Sequence, residues 1–211
     1  MPVFVNLIKS PYLLWLLLAI PSKPFLIDLV LADSYYSEMM HRSGVISIQL
    51  LVFTLSISPV LIVLKKLSFT KHLSFTEQLR RWLLKSRRYF GVASFLYAFI
   101  HLLLYVRETY YLTDILDEAL TWKMGSGWIA VTFFIPLVLT SNNRSMKKLA
   151  NKWKLLQRLA YLVVVASFVH WLSLDLFFDL GLQWLAILVF AKSIQLYFYQ
   201  PTTAASPKPA A

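Results

Sequence analysis

The chain has 211 residues, 58% hydrophobic and 15% charged, with a formal net charge of +11. A soluble domain is nearer half apolar and a quarter charged, so this excess, gathered into long runs, indicates an integral membrane protein. The absence of cysteine excludes disulfides, thiolate metal sites, cysteine-linked prosthetic groups and cysteine nucleophiles.

Pro11 to Ala32 is the first apolar run, interrupted by Pro21 and Pro24. No polar small-residue cleavage site follows it, so it reads as an uncleaved first span rather than a signal peptide. After a polar link, Asp33 to Arg42, the second span runs from Gly44 to Leu64. Lys65 to Arg88 is a basic loop in which Thr76 to Lys85 predicts a short amphipathic surface helix. Tyr89 to Val106 is the third span, and Arg107 to Lys123 is polar and acidic. Gly127 to Thr140 is the fourth span, which Trp122 and Trp128 extend to the interface. A second basic loop, Ser141 to Lys154, leads to the fifth span, Leu155 to Leu174. An acidic turn, Asp175 to Asp179, precedes the sixth, Leu180 to Tyr199. The expectation is an all-α bundle of six transmembrane helices over residues 1–200, with residues 201–211 a disordered Pro/Ala/Ser-rich tail.

Charge sets the orientation. The Lys65–Arg88 loop holds eight basic residues and one acid, and the 4–5 connection holds six basic residues and no acid. Nine of the ten acids lie on the other side. The positive-inside rule places both termini and both basic loops in the cytoplasm. The basic surplus is thus a topology signal with a contact to anionic lipid, and nucleic-acid binding is excluded.

Ionisable groups inside a span are costly and point to function. His101 lies in the run Arg87 to Arg107, and His170 in the fifth span. At about 1.5 Å per residue, His101 sits roughly 20 Å beyond Arg88 and His170 roughly 24 Å beyond Lys154. Both fall in the outer half of the membrane at similar depth. Either histidine alone is accounted for by a hydrogen bond to a neighbouring helix or a water. Two at matched depth on antiparallel spans, amid Phe, Tyr and Trp, point to axial ligation of a haem iron lying between them.

His41, at the outer start of the second span, either approaches the same site or is an interfacial residue. His72 reads as a solvated loop residue. Arg42 and Arg107 either fork to haem propionates or snorkel at the interface. Phosphate loops, GxSxG and HExxH are all absent, as is a buried carboxylate pair. A haem-free transporter or assembly scaffold is the rival class. Broken helices in two matched halves would mark a transporter, and only the first span is broken here.

The chain resembles the ferric-reductase-like transmembrane family, and within it the MsrQ family of haem-binding membrane subunits of bacterial periplasmic methionine sulfoxide reductase systems. The pieces that carry the resemblance are His41-Arg-Ser-Gly44, Arg87-Arg88-Tyr-Phe-Gly91 with His101 ten residues on, Thr140-Ser141, and the stretch from Lys148-Leu-Ala-Asn-Lys-Trp153 through Leu159-Ala-Tyr161 to His170-Trp171. The resemblance implies haem b, with FMN as a second cofactor. It implies an electron-transfer subunit that does not itself hold the substrate. Electrons would come from a cytoplasmic flavin reductase or quinol and go to a periplasmic molybdenum reductase subunit of the MsrP type. A free-standing ferric or quinone reductase is the alternative within the superfamily. Relatives often carry a second histidine thirteen residues inward on each haem helix. Here those positions are Arg88 and Gln157, so one haem is expected. The acidic Arg107–Lys123 segment, with Asp114, Asp117 and Glu118, is the expected docking surface for the periplasmic partner.

Overall fold

The computed structural model describes residues 10–22, 36–67, 73–109, 111–174 and 177–198. The elements are α1 (Pro11–Ala19), a 3-10 turn (Ile20–Ser22), α2 (Tyr36–Leu67), α3 (Leu73–Thr109), α4 (Leu112–Ala119), α5 (Trp122–Leu139), α6 (Asn143–Leu149), α7 (Asn151–Gln157), α8 (Leu159–Ser173) and α9 (Phe178–Tyr197). No strand occurs among the described residues. Five helical stretches among them are long and apolar enough to cross a membrane: Ser37–Val63, Glu77–Thr109, Trp122–Leu139, Asn151–Ser173 and Phe178–Tyr197. The first expected span, Pro11 to Ala32, contributes α1 and the 3-10 turn, and its remainder lies outside the described residues. So do the polar link from Asp33 to Tyr35, His72, and the tail 201–211.

The expected surface helix Thr76–Lys85 is instead the opening of α3, continuous with the third span. Residues 73–88 contain neither Gly nor Pro, so nothing ends the helix before Tyr89. Glu77 also pairs along it with Arg80 at 2.7 Å and Arg81 at 3.3 Å. Similarly, α2 starts at Tyr36, which puts His41 and Arg42 inside its second turn rather than ahead of it. The basic loop after Thr140 is itself helical, as α6 and α7.

Helices α2 and α3 form one long antiparallel hairpin; α5 pairs antiparallel with α7 and α8 as a second. Between hydrocarbon and hydrocarbon there is little hydrophobic drive, so small residues and interhelical hydrogen bonds fix such contacts. Ser47 and Ser94 do this reciprocally. Ser47 Oγ donates to the Ser94 carbonyl at 2.8 Å, and Ser94 Oγ donates to the Ser47 carbonyl at 2.7 Å. Further along the first hairpin, Arg87 donates to Ser58 Oγ at 3.2 Å. The second hairpin is tied by Trp153 Nε1 to the Thr140 carbonyl at 3.0 Å. The core lies between the hairpins and α9. Val52 and Val163 are fully buried there, with Leu55, Phe134 and Leu188 around them, and Phe95 meets Phe134 edge-on at 5.5 Å.

One charged side chain is drawn into that packing for a backbone reason. Pro59 lies inside α2 and has no N–H, so the Leu55 carbonyl loses its helical donor. Lys192 of α9 supplies a replacement, with Nζ 3.0 Å from Leu55 O, 3.1 Å from Tyr161 Oη and 3.1 Å from Gln195 Oε1. Lys192→Met should therefore lower stability by about 1–3 kcal/mol, read as thermal unfolding in detergent. In a Pro59→Ala background, where the backbone donor returns, the loss should shrink. An equal loss in both backgrounds would contradict this role.

Candidate functional site

The two hairpins bring His101 of α3 and His170 of α8 face to face. Their ring centroids are 6.1 Å apart and the ring planes meet at 79°. Both line one cavity, walled by Met40, Gly44, Tyr105, Trp128, Phe134 and Trp171 among others. The cavity lies toward the acidic end of the bundle, on the side of Glu38, Glu108 and α4.

Each ring is held in the same way. His101 Nδ1 lies 2.7 Å from the Met40 carbonyl, and His170 Nδ1 lies 2.9 Å from the Lys123 carbonyl. A carbonyl oxygen only accepts, so Nδ1 is the protonated nitrogen in both rings and Nε2 carries the free lone pair. No hydrogen bond engages either Nε2 among the described residues. One turn on from each accepting carbonyl is a glycine. A Cβ at Gly44 would sit 3.0 Å from His101 Nδ1, and one at Gly127 would sit 3.0 Å from His170 Nδ1. A Cβ there would press on the ring, so glycine leaves the imidazole room to rest on the helix backbone at this distance. Between carbonyl and glycine stands a serine. Ser43 Oγ donates to Met40 O at 2.8 Å and Ser126 Oγ to Lys123 O at 2.8 Å.

This arrangement carries a sequence signal that histidine spacing alone misses. Met40-His-Arg-Ser43-Gly44 and Lys123-Met-Gly-Ser126-Gly127 repeat one pattern: carbonyl, serine three on, glycine four on. Those three positions share a helix face. Each hairpin thus supplies one seat, on α2 or α5, and one histidine, on α3 or α8.

Chemically, the site offers two imidazoles on one cavity, each with Nε2 unengaged. Metal–imidazole bonds of about 2 Å on opposite sides of one ion place the ring centroids about 6 Å apart, which is the spacing seen. No group of three His, Cys, Asp or Glu side chains is placed to hold a metal ion among the described residues. His41 shares the cavity wall without completing such a group. Two imidazoles without a third protein ligand would suit a metal whose other positions are filled by its own macrocycle. Thirteen residues inward, the chain makes other bonds. Arg88 donates to Asn143 Oδ1 at 2.6 Å, and Gln157 Nε2 lies 3.4 Å from the Leu137 carbonyl and from Thr140 Oγ1. At the outer rim Arg42 pairs with Glu38 of its own helix, Arg107 is exposed, and neither arginine lines the cavity. Tyr105, which does, donates to Glu118 Oε2 of α4 at 2.7 Å.

Residues 43–168 match the family described as ferric reductase like transmembrane component. That match covers more than half of the chain, and the chain belongs to this family; it is a multi-pass membrane protein. The chain is also 34% identical over 96 residues to the protein-methionine-sulfoxide reductase heme-binding subunits MsrQ of Brucella ovis, Brucella canis and Brucella suis. The aligned stretch is 43% of this chain and 42% of each relative, so it spans less than half of them. No solved structure matches the chain.

The two carbonyl anchors make a spectroscopic prediction. In protein freed of any bound metal, 15N shifts of labelled histidine should show His101 and His170 protonated at Nδ1 and bare at Nε2. The opposite tautomer in either ring would contradict the anchoring.

Proposed function

We propose that this chain is the haem-binding, electron-carrying membrane subunit of a methionine sulfoxide reductase system. The observation that carries the reading is the facing pair His101 and His170, each fixed as the tautomer with a free Nε2 by a backbone carbonyl. A second-shell hydrogen bond at the other ring nitrogen is how a metal-binding imidazole is oriented and made more basic. The name of the relatives, heme-binding subunits of such a reductase, supports the same cofactor and the same system.

Bound between these rings, haem b supplies a one-electron change at iron. The chain does the rest. His101 and His170 would hold the haem through Nε2. The Met40 and Lys123 carbonyls set the ring orientations, while Gly44 and Gly127 leave room for them. Trp128, Phe134 and Trp171 make the cavity wall largely apolar. Arg42, paired with Glu38, and Arg107 stand at the outer rim outside the cavity wall, where either would have to swing inward to meet a propionate, and positive charge there would favour the reduced state; His41 is a further wall residue. The bonds made by Arg88 and Gln157 support a single haem.

The reading includes six spans with both termini in the cytoplasm of a bacterial inner membrane. The basic ends of α2 and α3 and the basic helices α6 and α7 support this sidedness, and on this reading the histidines lie near the periplasm. Electrons enter from a cytoplasmic flavin reductase or from quinol. FMN joins the reading from the family resemblance alone, with no residues assigned to it. Electrons leave to a periplasmic molybdenum-dependent reductase subunit of the MsrP type that repairs oxidised methionines. The α4 acids Asp114, Asp117 and Glu118 lie at that face as its docking surface.

His101→Ala and His170→Ala should each abolish haem retention in purified protein while leaving helical content unchanged by circular dichroism. Retention of the parent's visible spectrum in either variant would sink the assignment.

A further inference from the structure

We propose that Ser43 and Ser126 are positioning residues that raise the redox potential of the site, by sharing the two carbonyls to which His101 and His170 donate. This inference rests on the haem reading and deepens it.

Back-bonding of a helical serine to a carbonyl one turn earlier is ordinary, and Ser193 does it to Val189 O on an exposed surface. The two serines at the site differ in three respects. Both are buried, Ser43 at 0% and Ser126 at 8% exposure. Each donates to the very oxygen that its histidine uses. Each immediately precedes the glycine on which that histidine rests. The same three relations recur in both hairpins, on helices otherwise unlike in sequence.

The consequence follows from the chemistry of a shared acceptor. A carbonyl oxygen has two lone pairs, and these two also belong to the helical ladder. A hydroxyl that draws density from the oxygen weakens it as acceptor for the imidazole Nδ1–H. The ring then has less imidazolate character and donates less to ferric iron. Outer-shell partners of a ligating histidine set its basicity, and hydrogen bonding around the ligand is one lever on haem potential. With the hydroxyl present on both sides, the ferric state is stabilised less and the midpoint is higher.

The test uses the full chain with haem bound. Midpoint potentials would be measured by redox titration for the parent, Ser43→Ala, Ser126→Ala, the double variant, and Ser126→Thr. Haem per chain would be quantified alongside. Each alanine variant should titrate lower than the parent, and the double variant lower again by about the sum of the two shifts. Ser126→Thr, which keeps the hydroxyl, should match the parent. Unchanged or raised midpoints with haem retained would overturn the proposal. So would loss of haem from both alanine variants, since the serines would then hold the rings rather than tune them. A parent that binds no haem would instead overturn the functional reading, and this inference with it.

Discussion

The structure depends on two hydrogen bonds of one kind, each from a histidine Nδ1 to a backbone carbonyl of the neighbouring helix. A neutral imidazole inside an apolar bundle has one donor to satisfy and one lone pair to offer. Giving the donor to a carbonyl settles both questions at once: the tautomer is fixed and Nε2 is released. The cost of placing a polar ring in hydrocarbon is offset by that bond, and the remaining lone pair is left for chemistry. Almost everything nearby can be read as support for those bonds. Gly44 and Gly127 let the rings reach the carbonyls, and the reciprocal Ser47–Ser94 bonds hold α2 against α3 at the matching register.

The site is also built twice. One hairpin offers Met40, Ser43 and Gly44 on α2 to His101 on α3, and the other offers Lys123, Ser126 and Gly127 on α5 to His170 on α8. Each hairpin brings one of the two facing histidines, and the packing of the two around Phe95, Phe134 and Val163 sets the distance between them. The inner ends, at Arg88 and Gln157, close on helix-terminal groups of Asn143, Leu137 and Thr140.

Much of this was legible in the sequence, for physical reasons. Long apolar runs and asymmetric charge mark spans and their ends. A rise fixed by helix geometry puts His101 and His170 at one depth, and the structure brings their rings together. Other features were hidden. The entry to α3 looked like a separate surface helix because its charges are amphipathic, yet an unbroken backbone from Leu73 outweighs that pattern. The Ser-Gly seats were overlooked because the acceptor is a backbone carbonyl, which has no letter in the sequence. Lys192 was equally obscure, since its reason lies 133 residues away at Pro59, where a missing N–H leaves Leu55 O to be satisfied from another helix.

The most direct test of the central claim is a low-temperature electron paramagnetic resonance spectrum of the oxidised protein as purified with haem. Two imidazoles held by independent carbonyls, with planes 79° apart, should give one strongly anisotropic low-spin ferric signal, integrating to about one spin per chain. A high-spin signal would mean that at least one histidine is not a ligand. Two distinct low-spin signals would mean a second site that Arg88 and Gln157 do not furnish. Either result would contradict the account.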